Sequence, residues 1–393
     1  MKKYQKVLLI TAGCLTLAGG IVTVTGLALG GSLGLRLTSE GIYTGNDQGK
    51  YIEETKSLKD IKNLEISAGY GNIYIEQGDS FRLEYGYDDM FAKPEYKADN
   101  GKVSFNLKSV HQNGISLIGI GNFANQKKED YIKLILPKGI ELDHLKVRSD
   151  YGELSLNQAD IKNLILEGDS GNINITNVNM DELSLNLDYG KLEMENCVVP
   201  ELKIDNDTSS GDLELKNITA KNVKISTDYG NVTVDQMKAD QVEIMNNNGS
   251  VDLRNMEGNT KNKRMNLLTV NGEYGAIGLR NVKTNSLNIE SDYGTVKGTD
   301  ITAVKNNIRQ ENGKCSIDNL NTSDTNIKNE YGDVDLTLAK SEKEYDFYLD
   351  TDDGEVSING EHYGDDYTRD NGKDKQIRVS VEYNARISIS AEE

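Results

Sequence analysis

The chain has 393 residues, with 38 Gly, 20 Tyr, 3 Pro, 3 His, no Trp and a formal net charge of −19. Three of its bases, Lys2, Lys3 and Lys6, precede an uncharged run, so the remainder is more acidic still. That field argues against nucleic acid and against adhesion to anionic lipid, which both need a positive surface. It suits cation binding or simple solubility.

In chain order, the first element is a helix. Val7 to Leu29 carry no charge, and these 23 residues are long enough to cross hydrocarbon. The lysines before them predict a cytoplasmic N-terminus and an extracellular remainder. A cleaved signal peptide is one rival, but its apolar core is usually shorter. A lipid-modified Cys14 after TAGC is the other. Thr11 stands where an aliphatic residue is usual there, and the apolar run continues for 15 residues past Cys14. The expected layout is a Lys cluster and uncleaved anchor over 1–31, then a juxtamembrane stalk over 32–59.

Residues 60–150 alternate apolar and polar residues in SAGYGNIYIEQGDSFRLEYGY, KADNGKVSFNLKS and EDYIKLILPKGIELDHLKVRS. Period-2 alternation marks half-buried strands. This part is expected to begin and cap the structure, with a Gly- and Asn-rich mobile loop from His111 to Lys128. LPKG at Leu136 is mid-chain and is not a sortase signal.

A repeat occupies 151–360. With the Gly of each YG or SG element as origin, the series runs Gly152, Gly171, Gly190, Gly211, Gly230, Gly249, Gly275, Gly294, Gly313, Gly332 and Gly354. Seven of the ten steps equal 19. The longest contains GNTKNKR, a polar basic insertion that reads as a protruding loop. Apolar pairs recur two and four residues after each Gly, as in Val232/Val234, and seven and five before it, as in Val223/Ile225. An amide recurs six residues after Gly, from Gln158 to Asn319, with Asp300 in its place once. Such amides can bond from coil to coil and to turn backbone. One unit cannot bury its own inner face, but stacked units can. The fold class expected is all-β: a parallel β-solenoid of 19-residue coils, about eleven of them, stacked at ~4.8 Å. Residues 361–393 give a charged loop and two capping strands.

Cys197 and Cys315 fall in the apolar columns and read as small core hydrophobes. No CxxC or His partner accompanies them, so a metal site there is unlike the usual patterns.

Two outer columns carry the candidate chemistry. The residue before Gly is Tyr at Tyr151, Tyr189, Tyr229, Tyr274, Tyr293 and Tyr331, with small residues between. Corner packing would produce this alternation. The rival is a platform of exposed rings that stack on sugars. Two residues before Gly, nine of eleven positions are acidic. Asp and Asn favour solvated turns, which explains them without a ligand. The sharper reading is Ca²⁺ shared between neighbouring carboxylates, with Asp150, Asp169, Asp188, Asp228 and Asp292 as ligands. The Gly-rich Ca²⁺-binding nonapeptide is absent.

The apolar anchor, the GYGNIYIE element, the KLILPKGIELDHLKVRSDYGELSL passage and the [DE]-[YS]-G-x-[IVL]-x-[IVL] repeats together resemble the bacterial "putative adhesin" β-strand-repeat family, domain of unknown function 4097. The resemblance spans most of 60–360. It implies a cell-surface β-solenoid and supplies no catalytic residues. Some relatives are thought to work with envelope-stress systems.

No nucleophile motif, P-loop, GxGxxG or HExxH is present. A lyase or hydrolase site would gather carboxylates in one cleft beside Arg or Lys. Here they are spread one per coil. No catalytic residue and no cofactor is expected. The function expected is non-catalytic binding or scaffolding at the cell surface, anchored through Val7–Leu29. The partner would be a wall polymer, a host surface or an envelope protein, in an oligomeric state the sequence leaves open. The alternatives are an accessory role in an envelope-stress or signalling system, and a glycan-acting enzyme.

Overall fold

The computed structural model describes residues 3–29, 35–38, 41–44, 49–110, 114–118, 128–206, 211–383 and 385–391. One helix, Lys3–Ala28, opens the chain. Within it Tyr4–Gly26 is long and apolar enough to cross a membrane, with a mean hydropathy of 2.2. Its threonines, Thr11, Thr16, Thr23 and Thr25, bond to carbonyls four residues back, which hides hydroxyls a bilayer could not solvate.

The rest is β structure in a solenoid-like stack. Strand Asp160–Ser170 pairs in parallel with Glu141–Tyr151 before it and Asn179–Tyr189 after it. The partner of each residue lies 19 positions along, as in Leu164 with Leu183. The second strand of each coil does the same: Leu154–Asn157 pairs with Ile173–Thr176, which pairs with Leu192–Val198. The two-residue excess between Gly190 and Gly211 and the GNTKNKR insertion leave the register intact on both sides. Asn206 still meets Thr227, and Tyr274 still meets Asn248.

Inward side chains come in three short runs per coil. In the coil of Gly171 they are Ile173 and Ile175, then Val178 and Met180, then Leu183, Leu185 and Leu187, each at most 4% exposed. Parity switches between runs, so the chain turns three corners in each coil. Two runs correspond to the apolar pairs read from sequence. The third, which includes Cys197, holds small residues such as Ala220, Ala239 and Ala303. Each fully buried aliphatic side chain contributes ~1.5–3 kcal/mol. Because coils cover one another, no coil keeps that contribution alone.

One corner is closed by the amide column. Gln158, Asn177, Asn196, Asn217, Gln236, Asn255, Asn281, Asp300 and Asn319 all hold φ between 52° and 60°. Asn and Asp tolerate this left-handed conformation best among residues with a Cβ. Some side chains also link coils: Asn217 Nδ2 donates to Asn196 Oδ1 at 2.7 Å, and Asn319 Nδ2 to Asp300 Oδ1 at 2.6 Å.

A second corner is closed by the repeat glycine. At Gly294, φ is +152° and a Cβ would fall well inside van der Waals contact with the carbonyl oxygen of Gly275 in the coil below. Gly171 stands in the same relation to Gly152. Glycine is required twice over, by dihedral and by backbone approach.

Both ends depart from the simple order. Strand Tyr51–Ser57, within the segment expected as a stalk, pairs antiparallel with Arg82–Asp88, which pairs antiparallel with Tyr131–Pro137. Tyr131–Pro137 then joins the stack beside Asn72–Gly78. Strands Leu35–Thr38, Gly41–Thr44 and Gly114–Ile118 form a separate three-stranded antiparallel sheet. Most of the loop expected to be mobile lies outside the described residues. At the other end, Lys375–Val381 inserts between Cys315–Tyr331 and Tyr345–Thr351. Arg386–Ala391 likewise inserts between Val334–Leu338 and Glu355–Ile358. The last strands of the chain are therefore interior to the stack.

Below the first repeat glycine, Gly71, the place of a lower glycine is taken by the carbonyl of Asp130, which also accepts the Asn72 N–H at 3.0 Å. Burial pushes the Asp130 carboxyl up to about 6, partly offset by the Asp88 N–H that donates to it. A carboxyl that binds its proton more tightly when folded stabilises the fold most below its unfolded pKa of about 4. That contribution is lost as pH rises through about 6.

Two outcomes are expected. Gly294→Ala destabilises the protein more than Gly360→Ala in urea unfolding. Gly360 has φ +82° but open space around it, so its variant reports only the left-handed strain of ~1–2 kcal/mol. Equal losses would show that the backbone contact contributes nothing. Asp130→Asn keeps an acceptor for Asp88. The stability of the wild type relative to this variant should fall between about pH 4 and about pH 6. A constant difference across that window would refute the shift.

Candidate functional site

The glycine corner brings the two outer columns together along one edge. Tyr70, Tyr151, Tyr189, Tyr229, Tyr274, Tyr293, Tyr331 and Tyr383 all stand there, each between 46% and 57% exposed. Sequence reasoning favoured corner packing, and here the structure differs. The residue before Gly lies outside the inward runs, so its ring faces solvent. Where adjacent coils both carry Tyr, the rings stack on each other. Tyr70 and Tyr151 lie 4.9 Å apart, Tyr274 and Tyr293 5.2 Å apart, and Tyr331 and Tyr383 4.6 Å apart, with interplanar angles of 11°, 6° and 3°. Offset or parallel ring contacts of this kind are worth ~0.5–1.5 kcal/mol each. Hydrogen bonding with Tyr383 raises the pKa of the Tyr331 phenol. Tyr70 and Tyr383 are members of the column that the 19-residue count did not reach. The YG at Gly71 was the signal for the first. The second could be found only from the strand insertion.

The acidic column flanks these rings unevenly. Arg148 bonds Asp150 at 2.9 Å and approaches Asp169 at 3.7 Å. Asp228 accepts the Asn247 amide at 2.6 Å. Glu273, Asp292, Glu311 and Glu330 have no ion pair among the described residues. No three His, Cys, Asp or Glu side chains among the described residues converge where a metal ion could sit. Asp150, Asp169, Asp188, Asp228 and Asp292 are spread along the edge, one coil or more apart.

Behind the edge lies a column the sequence reading did not single out, three residues before Gly. Asn246, Gln310 and Asn329 are at most 2% exposed. Asn246 Nδ2 donates to the Gly230 carbonyl at 3.0 Å, and Asn329 Nδ2 to those of Gly313 and Gly332 at 2.9 Å each. Gln310 does the same for Gly294. These amides satisfy corner carbonyls that would otherwise be buried without a donor. The parity of the apolar pair before Gly already pointed this position inward.

Of the other reactive groups, His362 Nδ1 lies 2.6 Å from Glu355 on the surface. Surface grooves run between side-chain ladders. One is lined by Glu182, Glu201, Lys203, Lys224 and Glu243. Another lies at the amide corner, lined by Asn217, Gln236, Lys238, Asn255 and Asn281. Cys197 and Cys315 are buried, and burial pushes both thiols up, Cys315 to about 12.

The Toastrack DUF4097 family model matches residues 61–209, 203–273 and 260–370. The chain belongs to this family. No match is found among curated proteins. A crystal structure described as a "putative adhesin" from Bacteroides fragilis NCTC 9343 is 16% identical. The match covers 71% of this chain and 97% of that one, with a TM-score of 0.29. A "putative cell adhesion protein" from Clostridium sporogenes ATCC 15579 is 13% identical over 87% of this chain and all (100%) of that one, TM-score 0.21. A "putative adhesin" from Parabacteroides merdae ATCC 43184 is 11% identical over 72% and 96%, TM-score 0.31. None of these names is that of an enzyme. At such identities and TM-scores the likenesses bear on neither ligand nor mechanism.

The thiols of this Toastrack protein offer a check on the core. Cys197 and Cys315 should resist a water-soluble disulfide reagent in the native protein and react once it is denatured, because only the thiolate attacks. Fast labelling of either in the native state would contradict the burial.

Proposed function

We propose that this Toastrack protein is a membrane-anchored, non-catalytic binding module. Its N-terminal helix crosses the membrane with the lysine cluster inside, and the solenoid stands outside. Its ligand is a wall polymer, a host surface or another envelope protein. The observation that carries this reading is the tyrosine edge. Soluble proteins seldom leave so many half-exposed rings along one edge without a use for them. Regular spacing at ~4.8 Å per coil suits an extended, repetitive ligand better than a small substrate. The acidic column beside the rings disfavours polyanions. Calcium bridging between neighbouring carboxylates belongs to the same proposal, as a means of softening that repulsion.

The test is co-sedimentation of the protein with isolated cell walls of its source, with Ca²⁺ and with chelator. Saturable binding that falls at least several-fold in a Tyr189→Ser/Tyr229→Ser variant is expected. Loss of binding with chelator would assign the acidic column a metal-dependent part. No binding in either condition, or binding indifferent to the tyrosines, would overturn the reading.

A further inference from the structure

The tyrosine edge is interrupted at several coils, and one gap differs from the rest. Asn312 occupies the tyrosine position between Tyr293 and Tyr331. Two coil steps separate those rings by ~10 Å. Each ring is held from behind, Tyr293 by Tyr274 and Tyr331 by Tyr383, in nearly parallel stacks. The inner faces of Tyr293 and Tyr331 are thus presented toward a common gap by rings that cannot easily turn. Asn312 is the floor, and its side-chain amide makes no hydrogen bond among the described residues. Glu311, beside the floor, and Glu330, beside Tyr331, are both without an ion pair among the described residues. Arg309 lines the neighbouring recess with Asp292 and Glu311 but forms no ion pair with them.

We propose that this gap binds an organic ammonium group, quaternary or a protonated amine, carried on a polymer. A cation is attracted to a ring face when it lies within ~6 Å of the centroid. The midpoint of a ~10 Å gap is ~5 Å from both rings, so one cation meets two faces at once. A planar group would span too little of that width. The two free carboxylates add charge attraction and disfavour a phosphate next to the ammonium, which favours an amine-bearing polymer over a choline phospholipid. The gap above Ser170 is less suited. Tyr189 has no ring behind it, and Arg148 already neutralises Asp150 and Asp169. The inference deepens the reading of the edge as the binding surface and rests on it.

The test uses the full chain in maltoside micelles and isothermal titration with choline chloride. Its uncharged carbon isostere is titrated in parallel. Asn312→Tyr fills the gap with the residue its neighbours already carry, so the fold is expected to survive and affinity to fall at least tenfold. Tyr331→Leu supplies a second variant should the first misfold. Glu311→Gln/Glu330→Gln should weaken binding several-fold, with rising salt doing the same to the wild type. Choline phospholipid vesicles identify the source. Choline binding without vesicle binding supports a polymer-borne amine, and vesicle binding removed by Asn312→Tyr would move the source to lipid. Equal affinity for the isostere, unchanged affinity in both variants, or no choline binding would each overturn the site. Wall binding that persists without choline binding would refute this inference alone. Choline binding without wall binding would refute only the broader reading.

Discussion

The structure depends on how closely one coil can approach the next at its glycine corner. From Gly152 to Gly332 each repeat glycine lies against the carbonyl oxygen of the glycine beneath, while Gly354 lies against that of Ala385. That contact leaves no room for a side chain. It fixes the level of one coil on another, and parallel backbone hydrogen bonds carry the same level around the remaining faces. Buried amides such as Asn246 and Asn329 then close the corner from inside by donating to the carbonyls the contact brings together. The corner is thus polar within and tightly packed, in a core otherwise mostly apolar.

Once the level is fixed, everything that projects from the coil becomes a column. Inward columns form a continuous apolar core. Outward columns become ladders, and their chemistry depends on what the corner can shelter. Tyrosines one coil apart must stack, because their spacing is close to the contact distance of two rings. Tyrosines two coils apart leave a gap wide enough for a thick group. The same repeat therefore generates walls and gaps on one edge by the choice of Tyr or a small residue. Carboxylates beside them repel one another, and the chain answers locally, with Arg148 paired at one end, whereas Glu311 and Glu330 form no ion pair among the described residues. That difference in pairing, more than the presence of the acids, distinguishes one stretch of the edge from another.

The ends show how the stack avoids open edges. Antiparallel strands extend the stack near the N-terminus, and Asp130 lends a carbonyl where no lower glycine exists. Near the C-terminus the final strands slide between two earlier coils, so that Tyr383 backs Tyr331 although 52 residues separate them in sequence. A solenoid end left bare would invite pairing with another chain.

The sequence alone determined the stacked-coil plan of the repeat region. A 19-residue period with alternating apolar pairs admits only stacked β coils, since no single coil can bury its inner face. It also determined the apolar helix, and it marked Gly and the amide as corner residues, because few other residue types accept those dihedrals. Tertiary structure alone decided which way the corner residues face. The residue before Gly follows a change of parity, and the direction of that side chain depends on the bend and not on any pattern along the strand. So the exposure of the tyrosines was invisible in the alternation that suggested packing. The order of coils at the C-terminus was equally hidden. Parallel strands of similar composition can pair with several partners, and only the packed stack selects Lys375–Val381 as the neighbour of Cys315–Tyr331. Ion pairing along the edge belongs to the same class, because Arg148 reaches Asp169 across coils and not along the chain.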